Sequence, residues 1–112
     1  MKAIVYERYG APDVLRLTEV DRPTPKSNEV RIRVHATTVT SGDCRVRSLH
    51  VPIGFGLVSR LVFVIRKPRQ PILGTELAGV VEAVGAGVGG LKVGDAVFAF
   101  DGARTACHAE YT

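Results

Sequence analysis

A mainly-β domain of six or so short strands, with one or two short helices, is the fold class this sequence predicts. Three observations carry it. Residues Glu29–Thr37 alternate strictly, with Val30, Ile32, Val34 and Ala36 against Arg31, Arg33 and His35, the period of a half-buried strand. Turn clusters at Gly10–Asp13, Asp21–Asn28, Gly85–Gly90 and Gly94-Asp95 punctuate the chain at short intervals, which favours a barrel over an open sheet. The chain has 112 residues, 46% of them hydrophobic, which suffices for one domain with its own core and excludes a disordered tail or a two-domain enzyme.

The elements follow in order. Ala3–Tyr6 is a short apolar strand. Gly10-Ala11-Pro12-Asp13 turns the chain, and Val14–Val20 reads as a second strand with Leu15 and Leu17 on its apolar face. Pro23 and Pro25 make Asp21–Asn28 a loop, because proline removes ladder donors and restricts its predecessor. Glu29–Thr37 is the clearest strand, and its alternation puts His35 on the solvent side. Thr40, followed three residues later by Asp43, resembles a capping box that opens a short helix running to about Leu49. Leu77–Val84 and Ala96–Phe100 are apolar strands, and Ala109–Tyr111 begins another.

Gly85, Gly87 and Gly90 match the spacing G-x-G-x-x-G. Dinucleotide binding through that motif needs a helix to start there, so that its free amides meet the pyrophosphate. The following LKVGDAVFAF carries Gly94-Asp95 and then β-type residues. The glycines are therefore expected to form a β-turn linker.

Charge and cysteine usage narrow the classes further. The net charge is +4, and the excess is local. Between Cys44 and Thr75 there is no acidic residue, whereas Arg45, Arg47, Arg60, Arg66, Lys67 and Arg69 all fall there. No aromatic interleaving accompanies this run in the way base stacking requires, so no nucleic-acid partner is expected. The greasy stretch Val51–Ile65 is too short to span a bilayer and is interrupted by Arg60. The N-terminus has no apolar signal-peptide core. No membrane partner is expected. Cys44 and Cys107 are the only cysteines, which suits a reduced, cytoplasmic protein better than a disulfide scaffold. Cys107 and His108 are adjacent, so they point apart in extended chain and suit neither metal chelation nor a nucleophilic pair.

The stretch GTELAGVVEAVGAGVGGLKVGDAV, from Gly74 to Val97, closely resembles the signature of the medium-chain dehydrogenase/reductase superfamily in its N-terminal GroES-like domain. The opening MKAIVYERYGAPDVLRLTEVDRPTPKSNEVRIRVHAT is similar to that domain's first strands. The resemblance covers essentially the whole chain and implies one GroES-like, partly open β-barrel over residues 1–112. Family members carry a second, Rossmann domain that binds NAD(H) or NADP(H), and nothing in this sequence corresponds to it. The chain is accordingly expected to be a fragment or a short reading frame. By itself it is expected to bind no cofactor and to be inactive, with a Rossmann domain as its partner and NAD(P)H as the cofactor of the full-length parent.

The resemblance also assigns a branch. Zinc alcohol dehydrogenases place a cysteine ligand at the position of Thr40 and a histidine ligand at that of Thr75. A hydroxyl is a poor zinc ligand beside thiolate or imidazole. The chain thus resembles the zinc-free quinone oxidoreductase and enoyl reductase-like branch, with a small-molecule quinone, enone, alcohol or aldehyde as substrate. Without zinc the substrate oxygen must be polarised by hydrogen-bond donors, and the matching cleft positions are Thr40, Ser41, Asp43 and Thr75, with Arg47 one turn further on. Thr40 and Asp43 have a plainer reading as helix caps, and Glu76 one as a partner for a basic neighbour. A free-standing, non-catalytic GroES-like binding or structural module is the alternative function. In Val51–Ile65, Leu57, Leu61 and Ile65 recur at helical spacing. This stretch is expected either to form a cleft-lining lid that leaves a patch for homo-oligomer formation, or to complete the domain's own core.

Overall fold

The computed structural model describes residues 1–49, 68–102 and 104–112. Five strands, one α-helix and one 3-10 turn are formed among them. They are β1 (Lys2–Val5), a 3-10 turn (Pro12–Val14), β2 (Arg16–Glu19), β3 (Val30–Thr37), α1 (Ser41–Ser48), β4 (Glu76–Val84) and β5 (Ala96–Phe100). The helix expected within Val51–Ile65, and the self-association through Leu57, Leu61 and Ile65, lie outside the described residues.

The mainly-β expectation holds. β1 and β2 form an antiparallel hairpin in the register Lys2↔Glu19 to Val5↔Arg16. β3, β4 and β5 form a second antiparallel sheet in that order. The last residues join the two. Glu110 donates its amide to the Lys2 carbonyl at 3.0 Å and accepts at its own carbonyl from the Val34 amide at 2.9 Å. His108 accepts from the Ile4 amide at 2.9 Å, and Thr112 exchanges both backbone bonds with Ile32. The strand expected at Ala109–Tyr111 is thus reduced to the single bridges Ala3↔Ala109 and Arg33↔Tyr111, but these carry the curvature from one sheet to the other. The result is a partly open barrel wall.

Two expectations need correction. The strand expected from Val14 begins at Arg16, because Pro12 sets a helical φ and starts a 3-10 turn that closes with the Leu15 amide on the Pro12 carbonyl. Leu17 is 66% exposed, since it shares the face of its cross-strand partner Ile4, and the hairpin buries Ala3 and Val5 on the opposite face.

The alternation of β3 is also broken. The β3–β4 ladder slips twice, between Arg31 and Ile32 and between Val34 and Ala36. At the first slip the extra residue is Glu82 of β4; at the second it is His35 of β3. Such bulges re-aim side chains. Glu82 is turned toward Arg31, whose Nε lies 2.7 Å from Oε2, and toward Arg22 at 3.2 Å. Beyond His35 the faces exchange. Val34, opposite Gly79, stays on the core side, whereas Ala36, opposite Ala78, is exposed on the outer side. A strict period of two would have kept both on one face.

The core has two centres. Tyr6, Val14 and Leu73 form one, with Tyr9, Leu15 and Val46 packed against it. Ile32, Leu77 and Cys107 form the other, with Val30, Val34, Val97 and Ala99 around it. Burial raises the Tyr6 hydroxyl from 10.0 to about 12, with Tyr9 adding to the rise, because the apolar setting disfavours the phenolate.

Crowding accounts for Gly85 in the 85–90 turn but not for Gly89. A Cβ on Gly85 would collide with the carbonyl oxygens of Lys26 and Ser27, whereas one on Gly89 would meet nothing within 4 Å. Gly85→Ala is therefore expected to lower stability by about 1–3 kcal/mol through overpacking. Gly89→Ala is expected to be neutral, or to stabilise by up to about 1 kcal/mol through the unfolded state. Urea unfolding of the two variants checks the contrast.

Candidate functional site

The centre of the molecule is a carboxylate. Asp43 is 3% exposed, and it lies in the first turn of α1. Its Oδ2 accepts from the Thr40 amide at 2.8 Å and from the Thr40 hydroxyl at 3.0 Å. The Asp43 amide in turn donates to Thr40 Oγ1 at 3.2 Å. This is the capping box expected from the sequence, with Thr40 extended at φ −104° and ψ 165°. The same carboxylate reaches across the fold, where Oδ1 accepts from the Gly74 amide at 3.1 Å. A buried charge is tolerated when it is this fully hydrogen-bonded, and its place near the positive end of α1 adds to that.

Gly74 shows why only glycine serves there. Its φ is +96°, and a Cβ would come within 2.6 Å of the His108 ring and 2.8 Å of the His108 backbone nitrogen. The chain crosses itself closely at this point. The amides of Cys107 and His108 donate to the carbonyls of Gly74 and Leu73. The His108 ring donates through Nε2 to the Thr38 carbonyl at 2.8 Å, since a carbonyl only accepts.

Asp43 separates two clefts. The first, of about 640 Å³, is mostly apolar, with Ile4, Leu15 and Leu73 on its walls and Asp43, Arg47 and His108 as polar lining. The second, of about 650 Å³, lies between Tyr6, Tyr9 and Val46 and has Asp43 and Thr75 on its polar side. Of the residues expected at a substrate cleft, Arg47 therefore lines the first, Thr75 the second, and Asp43 both. Thr40 and Ser41 line neither; Thr40 is occupied with the cap. Arg47 is tied back through Nε to the Gly10 carbonyl at 3.2 Å, and its own carbonyl accepts from the Gly10 amide at 3.0 Å. Among the described residues the Glu76 carboxylate takes no basic partner; it accepts from the Thr38 hydroxyl at 2.7 Å.

His108 is a cleft residue that its sequence setting concealed. The signal was present in its adjacency to Cys107. In extended chain the two alternate, so a thiol that faces the core leaves the imidazole on the opposite side.

Cofactor and metal groups can be tested against these residues. The amides of Gly85 and Gly87 donate to the carbonyls of Glu29 at 2.8 Å and Ser27 at 2.7 Å, and the Val88 amide closes the turn on Gly85. No helix follows among the described residues before β5. The G-x-G-x-x-G string is a turn between β4 and β5 in which the amides of Gly85, Gly87 and Val88 are already bonded and no helix opens, and it does not fit a pyrophosphate. Among the described residues no group of three or more histidine, cysteine, aspartate or glutamate side chains is placed to hold a metal ion. No helix among them is long and apolar enough to cross a membrane.

A short capped helix whose buried aspartate is bonded to a glycine on the neighbouring crossing, set against a partly open β wall beside two clefts, defines a GroES-like domain of the dehydrogenase type. Residues 26–112 match the alcohol dehydrogenase GroES-like domain family, and the chain belongs to it. It is 39% identical to the quinone oxidoreductase of Rattus norvegicus over 102 residues, which is 89% of this chain and 27% of that protein. Among solved structures, the quinone oxidoreductase of Coxiella burnetii matches with a TM-score of 0.80 at 31% identity, covering 100% of this chain and 33% of that one. The Escherichia coli quinone oxidoreductase complexed with NADPH matches with a TM-score of 0.79 at 27% identity, covering 100% and 30%. The chain thus spans less than a third of the length of the curated quinone oxidoreductases it matches.

Two measurements test the site. Asp43→Ala leaves three donors without their acceptor and is expected to cost about 3 kcal/mol, against about 1 kcal/mol for Thr40→Ala. The double variant is expected to lose less than the sum in urea unfolding, because the two residues share one cap. The thiols should also separate. Burial, with Asp101 and Asp43 nearby, raises Cys107 from 9.0 to about 11, while Cys44 is exposed. Iodoacetamide is expected to modify Cys44 in the folded chain and Cys107 only after unfolding. The unfolded Cys107 thiol ionises first, so stability should fall as pH rises from 9 through 11, and Cys107→Ala should flatten that fall.

Proposed function

We propose that this chain is the substrate-side domain of a zinc-independent, NAD(P)H-dependent oxidoreductase that reduces a quinone, an enone or a related carbonyl compound. The observation that carries the reading is the commitment of Thr40. At the position where zinc enzymes of the family hold a cysteine ligand, this chain has a hydroxyl that already gives and accepts a hydrogen bond within the capping box. The names of the relatives support the same branch.

In such a reaction the nicotinamide supplies a hydride. The bonded amides of the Gly85–Gly90 turn speak against a pyrophosphate there, and on this reading the chain's part is to shape and polarise the substrate pocket. The apolar wall of Ile4, Leu15 and Leu73 suits a flat ring. Arg47, anchored through Nε, directs its guanidinium to that wall. A fixed cation beside a developing oxyanion lowers the barrier because it needs no reorganisation at the moment of reaction. Asp43 positions this machinery by fixing the start of α1.

The test has two arms. The 112-residue chain alone is expected to oxidise no NADPH, to show no saturable NADPH binding at micromolar levels and to carry no stoichiometric zinc. Placed in a chimera for the matching third of the Escherichia coli quinone oxidoreductase, it is expected to support NADPH-dependent reduction of a benzoquinone. There Arg47→Ala should lower kcat/KM by about tenfold to a hundredfold. Turnover by the chain alone, or a chimera that requires added zinc, overturns the reading.

A further inference from the structure

The outer face of the β3–β4–β5 sheet carries an apolar patch, bounded by Arg33 opposite Val80 and by Glu76 opposite Phe100. Phe98 is 90% exposed and Phe100 is 74% exposed. Phe98 stands opposite Ala78, and Ala78 stands opposite Ala36 on the far strand. Val80, opposite Ala96, continues the same face. The face exists because of the bulge at His35. Without that slip Ala36 would turn inward and be lost from the patch. A shallow groove of about 450 Å³ runs across Ala36, Ala78, Phe98 and Phe100. Gly102 keeps one ring in place, since a Cβ there would meet two carbons of the Phe100 ring at 2.8 Å.

Two exposed phenylalanines on a rigid sheet, with alanines beside them, make a surface of the kind that soluble proteins cover. Its chemistry limits the occupant. The acidic group at its margin is Glu76, whose carboxylate accepts from Thr38, and none of the groove's lining residues is basic. With Glu76 at one end and Arg33 at the other, the patch between them favours an apolar occupant over a phosphate backbone or a strongly charged peptide. The length of the relatives supplies the occupant. In the two quinone oxidoreductase structures this chain covers 33% and 30% of a polypeptide about three times as long.

We infer that the Phe98–Phe100 face is where the remainder of a longer oxidoreductase polypeptide docks, through an apolar patch with one charge of each sign at its edges. This rests on the reading of the chain as one domain of such an enzyme, and it names the surface that holds the parts together. The two phenylalanines act as anchors and the alanines provide close approach, an arrangement in which a few buried aromatics carry most of the association energy.

The experiment compares the 112-residue chain with the Escherichia coli chimera, each carrying Phe98→Ser or Phe98→Asp. In the chain alone, thermal midpoints should move by less than about 2 °C, because the ring has no packing partner to lose. Binding of an anilinonaphthalene sulfonate dye should fall. In the chimera the same changes should lower the midpoint by more than about 5 °C or split one transition into two. A chain that melts early on Phe98→Ser packs the ring itself, which overturns the inference. Concentration-dependent dimers of the chain, dissolved by Phe98→Asp, assign the face to a second copy and overturn it too. So does a chimera that stays unfolded with the native face. A chimera that reduces benzoquinone but is indifferent to Phe98→Ser overturns the docking and leaves the functional reading standing. An inactive chimera that is stabilised through Phe98 does the reverse.

Discussion

One buried carboxylate sets the geometry of this domain. Asp43 holds the first turn of α1 closed on Thr40 and, with its second oxygen, grips the Gly74 amide thirty-one residues away in sequence. Each oxygen thereby fixes a different part of the chain. The helix is short and has no long apolar stripe to dock it, so its position depends on this bond and on the Arg47–Gly10 pair behind it. Gly74 in turn sits where the 72–75 segment crosses the 106–108 segment. Both clefts open from this crossing. A single charge satisfied on both oxygens thus does what a larger core would do in a bigger domain, where apolar area fixes helix positions.

Much of this was legible in the sequence, and the reasons are local. β3, β4 and β5 fall within a residue or so of their expected limits because β-branched runs bounded by turn residues leave few other conformations. The capping box was readable because both partners lie three residues apart on one strand of chain. The glycine-rich string was readable as a turn because the residues after it do not form a helix.

What escaped was non-local. The exposure of Leu17 depends on which face of the β1–β2 hairpin the rest of the fold covers. The exchange of faces at Ala36 depends on a slip in a ladder between strands some forty residues apart. The reach of Asp43 to Gly74 leaves no periodic trace, since an aspartate that caps a helix and an aspartate that also ties down a distant loop look alike in one dimension. Thr75 and Arg47 stood together in the expected site but lie on opposite sides of Asp43, because that carboxylate is a partition between two clefts.

The paired slips in the β3–β4 ladder bear on how the sheet finds its alignment. The two strands are joined by a long connection, so nothing in a tight turn dictates which residue meets which. A regular ladder could slide by two residues and keep its apolar face, with only modest loss. Here the extra residue belongs to β4 at one end and to β3 at the other. The two offsets cancel, so Val30↔Val84 and Thr37↔Leu77 share one register while Ile32–Val34 sit one residue out of it, and a slide of the ladder strands Glu82 away from Arg31. The two irregularities act as the opposed teeth of a key, so that misaligned pairings are rejected by geometry while the sheet assembles.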